Sequence, residues 1–272
     1  MKNSKSDKFS LAHPFAIITG AAGLLGKEHS VALLESGYNL ILTDLNLIAL
    51  KKFTNSIKNK FNNKIIFFKM DVSNEKSIFK VKKFINKKKL KIKILVNNAA
   101  IDSKINKNNI MSNTSNFEKI SLVDWNKHLS VGLTGAMLCA KIFGDVIYKS
   151  YKNGIILNIA SDLSVIAPKH SLYGKNKFKP VMYSVIKHGI IGLTKYISTY
   201  WHKKGIRCNS LSPGPVFNNQ SKRFIKKLLK EIPLGRMANK SEYRESVKFL
   251  CSDKSSYMTG QNLIVDGGRS VW

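Results

Sequence analysis

The sequence is poor in cysteine, in proline and above all in acidic residues. Its three cysteines (Cys139, Cys208 and Cys251) are widely spaced and form no CxxC pair. An odd, scattered set of this kind argues against a disulfide framework or a zinc site and is typical of a reducing compartment. We therefore expect a cytoplasmic protein that binds no metal.

Long hydrophobic runs are also missing. No uninterrupted apolar run reaches the ~18–20 residues that a membrane span requires, and the polar first residues lack the apolar stretch of a secretory signal. With only 6 prolines, the chain has no linker rich in Pro, Gly or Ser. We expect no membrane association, a flexible N-terminal tail over residues 1–12 and a single domain over 13–272.

The scarcity of acidic residues leaves a large positive charge. Lys and Arg number 46 against 16 Asp and Glu, a net charge of +30, which is one signature of nucleic-acid binding. Only five of the 46 are arginine, the side chain best suited to bidentate contacts with phosphate and guanine. The charge is interpreted as lysine spread over solvated faces, and no specific nucleic-acid partner is expected.

Short apolar runs alternate with longer amphipathic stretches along the chain. Strands are predicted over 15–19, 39–43, 64–69, 92–96, 154–158, 206–211 and 263–265, and helices over 24–36, 47–58, 75–86, 123–150 and 181–203. Ser73 is the expected N-cap of the third helix, and a kink is expected near Gly132 and Gly135. The alternation predicts an α/β fold: a single Rossmann-type, doubly wound parallel sheet of about seven strands with helices on both faces.

The loop after the first predicted strand reads TGAAGLLG over residues 19–26 and opens a helix. Gly20 permits a tight turn, Gly23 lets the backbone approach a diphosphate, and Gly26 lets helix and strand pack closely. The helix N-terminus then offers N–H groups and a positive dipole end to phosphates. The pattern predicts a dinucleotide site. Its other members are Thr19, Leu24 and Leu25.

Acidic and amide side chains follow the next three strands. Asp44 lies 18 residues beyond Gly26. Its carboxylate can accept hydrogen bonds from both adenosine ribose hydroxyls and would repel a 2′-phosphate, which favours NAD(H) over NADP(H). Asp71 is placed to receive the adenine amino group. The remaining cofactor candidates are Val72, Asn98 and Ala99, whereas Asn97 is expected to have a structural role.

The candidate catalytic residues lie in the second half of the chain. Ser161 follows the fifth strand, and Tyr183 and Lys187 are four residues apart on a predicted helix, hence on one face. A neighbouring ammonium favours the ionised form of a phenol, which brings it closer to general acid/base use near neutral pH. The serine hydroxyl can hold the substrate oxygen, and the lysine can also hold the nicotinamide ribose.

Six motifs now stand in order: the glycine-rich loop, NNAA over 97–100, Ser161, YxxxK, Ser-Pro-Gly over 212–214 and TGQNLIVDGG over 259–268. Together they resemble the short-chain dehydrogenase/reductase family, over roughly residues 12–270. The resemblance implies reversible hydride transfer between NAD(P) and a carbonyl or alcohol, with Ser161, Tyr183 and Lys187 as the active trio. It also implies a homo-oligomer, tetramer or dimer, built on the two long helices. Further cofactor contacts are implied at Pro213, Gly214, Val216 and Asn218.

A second YxxxK motif competes with the first. Tyr173 and Lys177 lie closer to the family spacing, because Tyr173 is 12 residues after Ser161 and Tyr183 is 22 after it. We nevertheless choose Tyr183, since the residues after Lys187 continue as an amphipathic helix. Tyr173 lies instead between two prolines in a segment that does not favour helix. An insertion of about nine residues between serine and tyrosine accounts for the spacing.

Three departures from the family pattern stand out. The loop reads TGxxGxxG rather than the commoner TGxxxGxG, and Asn218 replaces a threonine that follows the Pro-Gly turn. The family's asparagine in the long helix, which holds a water of the proton relay, aligns with Gly132, which has no side chain to do so. His128, one turn earlier, is a weak substitute candidate.

The prediction of the substrate begins with the segments that should border the mouth of the site. Two segments, 101–122 and 165–180, exceed a minimal family member and follow strands on the active side. The second carries His170 and four lysines (Lys169, Lys175, Lys177 and Lys179) where the chain average predicts about two. Both an anionic-substrate loop and generic lysine richness remain open.

The inserted segment, the loop start and the stretch 217–220 resemble oxidoreductases of flagellin modification and nonulosonic-acid pathways. That resemblance implies a sugar or amino sugar, phosphorylated or nucleotide-linked, for surface glycan synthesis. The first alternative is a 3-oxoacyl-[acyl-carrier-protein] reductase; such enzymes usually use NADPH, so Asp44 counts against it. The second is a non-catalytic dinucleotide-binding protein on the same scaffold.

Overall fold

The computed structural model describes residues 13–101 and 116–272. At its centre is a seven-stranded parallel sheet in the order β3-β2-β1-β4-β5-β6-β7. The strands are β1 (Phe15–Thr19), β2 (Asn39–Asp44), β3 (Ile65–Lys69), β4 (Ile92–Asn97), β5 (Ile155–Ile159), β6 (Arg207–Pro213) and β7 (Asn262–Val265). The order reverses between β1 and β4, the switch point at which such sheets bind ligands. The expected tail over 1–12 and most of the 101–122 segment lie outside the described residues.

Helices cover both faces of the sheet. The helices are α1 (Leu24–Glu35), α2 (Leu47–Ile57), α3 (Glu75–Lys87), α4 (Leu122–Leu129), α5 (Gly135–Ser150), α6 (Val181–Tyr200), α7 (Lys222–Leu228) and α8 (Arg244–Leu250). Ile17 and Ile41 belong to the core beneath α3, α5 and α6, whereas Ile18 and Leu40 belong to the core beneath α1, α2 and α8. Because successive strand residues point to opposite faces, each apolar strand fills both cores. The predicted doubly wound α/β fold is confirmed.

Two local expectations need correction or refinement. The N-cap of α3 is Asn74, whose side chain accepts the Ser77 N–H; Ser73 instead donates its hydroxyl to the Asp71 carboxylate. The kink expected in the long helix takes the form of a π-helical turn, Ser130–Thr134, between α4 and α5. Such turns insert one residue into the helical ladder and are frequent at functional sites.

The continuous helix Leu122–Ser150 is long enough, and on average apolar enough, to cross a membrane. It contains no uninterrupted apolar run of that length. Its most apolar window is 56% buried within the protein. Phe143 and Ile147, for example, are completely buried against the sheet. This helix is therefore part of the core. At the start of α5, Asn97 donates a hydrogen bond to the Ala136 carbonyl, and it donates another to the Asn158 side chain, the structural role predicted for it.

The inserted segment after β5 packs onto α7. Leu172 shares a small apolar cluster with Leu228, Ile232 and Met237. Two polar contacts reinforce it: Lys169 pairs with Glu231 at 2.8 Å, and the Lys227 ammonium donates to the Ser171 carbonyl at 2.8 Å. Segment and helix together form one wall at the carboxyl ends of β5 and β6.

Candidate active site

A cleft of 880 Å³ runs along the carboxyl ends of the strands. Its lining comprises the glycine-rich loop, the ends of β2 to β6 and the start of α6. Every predicted site residue lines this cleft except Thr19. Thr19 lies behind the loop, where its hydroxyl accepts the N–H groups of Asn98 and Ala99, both at 3.1 Å. Thr19 thus supports the loop from below.

The glycine-rich loop adopts the predicted tight turn. Gly20 has a left-handed φ of +63°, and a Cβ there would lie 2.8 Å from the Ala99 Cα. A Cβ at Gly26 would collide with the Gly20 carbonyl oxygen. The Asn98 amide fastens the turn by donating to the carbonyls of Thr19 and Gly20, at 3.0 and 2.9 Å. The TGxxGxxG spacing therefore still builds a cradle of main-chain atoms.

The α1 N-terminus opens into this cradle without a side-chain cap. Gly23 is the N-cap residue and offers no capping group, so the first N–H groups of the helix face the cleft beside Leu24 and Leu25. Behind them, burial lowers the pKa of His29 to about 4, and the nearby Asn98 side chain offsets only part of that shift. His29 is therefore neutral at pH 7.

The carboxylate of Asp44 is held in place by backbone N–H groups. One oxygen accepts the Ala22 N–H at 2.9 Å, and the other accepts the Asn46 N–H at 2.8 Å. These contacts fix a negative charge at the end of β2, directly beside the glycine-rich loop. Asp71 is held in a similar way after β3, where it accepts the backbone N–H and the hydroxyl of Ser73 at 2.9 and 2.6 Å.

Tyr183 lies in the first turn of α6 and faces the cleft. Lys187, one turn later, is 6% exposed and donates a hydrogen bond from Nζ to the Ile159 carbonyl at 2.9 Å. Its Nζ is 5.6 Å from the centre of the Tyr183 ring. A second ammonium, that of Lys179, lies 3.7 Å from the same centre. Two cations therefore flank this phenol ring, one from α6 and one from the inserted segment.

Ser161 belongs to a buried polar chain that runs to the C-terminus. Its hydroxyl donates to Asp162 at 2.8 Å and accepts the Leu163 N–H at 3.2 Å. The other Asp162 oxygen pairs with the Arg269 guanidinium, and the two side chains are only 5% and 7% exposed. A buried ion pair of this kind orients its hydrogen-bonded neighbours, because neither charge can be left unpaired without a large cost.

Sequence reasoning missed Asp162 and Arg269. They are 107 residues apart, a separation that no local pattern reveals. One feature of the sequence could have drawn attention to Asp162: it is an acidic residue directly after Ser161, in a chain with only 16 acidic residues. Lys179 was noted only as one lysine of a basic segment, and its contact with Tyr183 was not foreseen.

The competing tyrosine has a different setting. Gly174 and Asn176 have φ values of +102° and +55°, so Tyr173 and Lys177 do not share a helix. The Tyr173 ring instead packs against Phe224, with ring centres 5.5 Å apart. Tyr183 and Lys187 are the YxxxK pair that the structure places on one helical face.

The Ile186 side chain fills the space beside Gly132 that a side chain at position 132 would need. A Cβ at position 132 would be 2.8 Å from the Ile186 Cγ2, and Ile186 is itself 5% exposed. An asparagine does not fit at this position without repacking α6. The His128 Nδ1 donates to the Asp124 carbonyl, 2.8 Å away. The cleft is lined here by Lys127 instead.

The turn after β6 completes the cleft. The Gly214 N–H donates to the Val265 carbonyl at 2.9 Å, and a Cβ at Gly214 would lie 2.5 Å from the Asp266 Cα. Asn218 is exposed at the rim, where its N–H donates to the Gln220 side chain at 2.7 Å. Pro213 and Val216 line the cleft on the same side.

Comparisons with known proteins agree with this geometry. Residues 20–270 match the family model described as "Enoyl-(Acyl carrier protein) reductase". An NAD-dependent glycerol dehydrogenase of Listeria innocua is 28% identical, over 97% of this chain and 96% of the relative. The post-translational flagellin modification protein A of Campylobacter coli is 27% identical, over 95% and 98%.

A solved structure supports the same assignment. The short chain dehydrogenase of Leptospira borgpetersenii, crystallised with bound NAD⁺, superposes with a TM-score of 0.80 at 31% identity, over 95% of this chain and 93% of that one. Sheet order, glycine-rich loop and YxxxK helix are all in place in the present chain. The chain therefore belongs to the short-chain dehydrogenase/reductase family and is an oxidoreductase that acts on alcohols or carbonyls with a nicotinamide dinucleotide cofactor.

Proposed function

We propose that this enzyme uses NAD(H) to interconvert a secondary alcohol and a ketone on a sugar or amino sugar that carries a phosphoryl group. The main support for this proposal is that Ser161, Tyr183 and Lys187 line the same cleft as the glycine-rich loop. The cationic inserted segment forms the wall on the substrate side.

The residues present fit a dinucleotide. The main-chain cradle leaves no room for a Cβ at Gly20 or Gly26 and little at Gly23, and the uncapped α1 terminus suits a diphosphate. Asp44 would hold the adenosine ribose and Lys187 the nicotinamide ribose. The adenine would lie against Asp71 and Val72, and the nicotinamide against Pro213, Gly214, Val216 and Asn218. When bound, the cofactor supplies the carbon that accepts or gives up hydride.

The protein's own contribution is to move a proton and to orient the alcohol. The Tyr183 oxygen takes the proton of the substrate hydroxyl during oxidation and returns it to the ketone oxygen during reduction. The Lys187 ammonium favours the ionised phenol by its charge. Ser161 can hold the substrate oxygen only as a donor, because a ketone oxygen accepts and the proton of the alcohol goes to Tyr183. Its hydroxyl hydrogen, which is given to Asp162 at 2.8 Å in this structure, would turn to the substrate oxygen.

The preference for NAD(H) rests on Asp44. Its carboxylate is fixed by two backbone N–H groups beside the loop, where a ribose 2′-phosphate would meet a like charge. The Listeria relative is NAD-dependent and the Leptospira structure holds NAD⁺, which supports the same choice. A preference for NAD(H) also argues against a 3-oxoacyl carrier-protein reductase, because such enzymes usually use NADPH.

A role in surface glycan synthesis is supported by the similarity to the Campylobacter flagellin modification protein. A cytoplasmic site of action is consistent with three buried cysteines that form no disulfide. Burial raises the pKa of the Cys139 thiol to about 12, which keeps it protonated and unreactive.

We also propose a homo-oligomer built on the long helices. Tyr196 and Tyr200 of α6 are stacked with ring centres 5.6 Å apart yet 63% and 64% exposed. Leu122 and Val123 of α4 are more exposed still. Sedimentation of the full chain is expected to show a dimer or tetramer that the Tyr196→Glu/Tyr200→Glu double variant weakens.

The function is tested with a panel of substrates and both cofactors. NADH formation is measured with sugar phosphates, nucleotide sugars and their unphosphorylated parents, and NADH or NADPH consumption with 3-oxoacyl thioesters. Turnover of the sugar compounds with NAD⁺ is the expected result. Turnover of acyl thioesters with NADPH in its place would establish the reductase alternative, and cofactor binding without any turnover would establish the non-catalytic one.

A further inference from the structure

Beside the outer end of the cleft lies a second, smaller pocket of 190 Å³. It is enclosed by residues 172–177 of the inserted segment and by the start of α7. Tyr173 and Phe224 line both this side pocket and the main cleft. The two cavities are therefore neighbours, divided by one pair of aromatic rings.

Among the residues that the structure describes, the lining of the side pocket includes cations and no carboxylate. Its charged members are Lys175, Lys177, Arg223 and Lys227. Glu231, an acidic residue on this wall, is already paired through both oxygens with Lys169, at 2.8 and 2.9 Å. Lys175, Arg223 and Lys227 place three like charges around one concavity and raise its positive potential, and an anion bound there would relieve their repulsion.

The donors in the pocket suit a phosphoryl group. Arg223 is one of only five arginines in a chain of 46 basic residues, and the guanidinium is the side chain that grips phosphate oxygens in pairs. Lys227 uses one of its three N–H groups on the Ser171 carbonyl, which holds the ammonium at the pocket. Ser221 accepts the Phe224 N–H at 3.3 Å, so its own proton can be donated.

Positive charge also continues from the pocket toward the reacting centre. Lys179 follows the pocket segment, lines the main cleft and lies over the Tyr183 ring at 3.7 Å. We propose that the side pocket is the subsite for a phosphoryl group carried by the substrate, whose hydroxyl reaches Tyr183 past Tyr173 and Phe224. This assignment rests on the proposed function and specifies its substrate class as a phosphorylated alcohol.

The first test measures binding without catalysis. Inorganic pyrophosphate is titrated calorimetrically into the full chain saturated with NAD⁺, which keeps the glycine-rich loop filled. The Lys175→Ala/Arg223→Ala variant removes two charges from the pocket, and Lys80→Ala/Lys83→Ala removes two exposed charges from α3. We expect one site, at least about tenfold weaker in the pocket variant and unchanged in the α3 variant. Equal weakening in both variants, or no binding to the wild type, would overturn the proposal.

The second test separates a substrate phosphoryl group from free phosphate. The ratio of kcat/KM for sorbitol 6-phosphate to that for sorbitol is measured in the same three proteins. We expect a ratio above one in the wild type that falls about tenfold in the pocket variant and not in the α3 variant. Pyrophosphate binding combined with a ratio of one would show an anion site unconnected to substrate, contrary to the proposal. If no compound of the wider panel is turned over, the proposed function fails, and the titration still decides the pocket.

Discussion

The two halves of the cleft use different kinds of atoms: mainly backbone groups in the cofactor half and charged side chains in the substrate half. The cofactor half relies mainly on main-chain atoms: a glycine turn with no room for a Cβ at Gly20 or Gly26, and an uncapped helix end. The Asp44 side chain adds a carboxylate that backbone N–H groups hold in place. The substrate half relies on charged side chains that meet from distant parts of the sequence, such as Asp162 with Arg269 and Lys169 with Glu231. Main-chain contacts to a ligand persist when the surrounding side chains change, provided that the glycines of the turn remain, whereas a side-chain contact is lost when its residue is replaced. We therefore expect substrate specificity to depend mainly on the second half.

The largest effect is expected where the substrate half meets the reacting bond. Tyr183→Phe removes the group that carries the proton and should lower kcat by about 10²–10⁴-fold while NADH binding, followed by fluorescence, persists. Tyr257→Phe, at a fully exposed tyrosine, is the matched control. If Tyr173→Phe abolished turnover and Tyr183→Phe did not, the assignment of the catalytic tyrosine would be wrong.

The buried ion pair behind Ser161 should have the next largest effect. Arg269→Leu leaves the Asp162 carboxylate buried without its cationic partner, so the free energy of unfolding should fall by about 3–5 kcal/mol. In Asp162→Leu/Arg269→Leu no charge is stranded, and the loss should be smaller than the sum of the two single losses. Urea unfolding of all four proteins measures this, and additive losses would mean that the two side chains act independently.

The cofactor half contributes a pH dependence through His29. The folded-state pKa is about 4 and the unfolded value is 6.5, so the unfolded chain binds an extra proton between these values. The free energy of unfolding should therefore fall as the pH drops from 6.5 to 4, by up to about 3 kcal/mol. In His29→Leu this part of the slope should vanish, and in the exposed His202→Leu it should remain. Parallel slopes for His29→Leu and wild type would refute the assignment.

The smallest expected effect concerns the one side chain that the cofactor half uses for selection. Asp44→Asn keeps an acceptor for the ribose and removes the charge. The preference for NADH over NADPH, measured as a ratio of dissociation constants by fluorescence titration, should fall about tenfold. Asp71→Asn, a matched change after the next strand, should leave the ratio largely as it was. A ratio insensitive to Asp44 would place the selection elsewhere.

Sequence reasoning succeeded where contacts are local. Strand and helix positions, the turn at Gly20 and the shared face of Tyr183 and Lys187 all follow from spacing within a few residues. It failed where tertiary contacts decide between equivalent options. Asn74 caps α3 because Ser73 is occupied by Asp71, and Ile186 fills the space beside Gly132. The pair of Asp162 and Arg269 lay beyond any local pattern.

The shared apolar cluster under the inserted segment has a consequence for redesign. Leu172 comes from the insertion and Leu228 from α7, and both are buried in one apolar cluster. Transplanting the insertion alone into another scaffold, or deleting it here, would remove apolar contacts from the leucine that remains. The insertion and α7 should therefore be exchanged together as one unit. A graft that keeps this unit whole is the practical way to change the substrate specificity of the cleft.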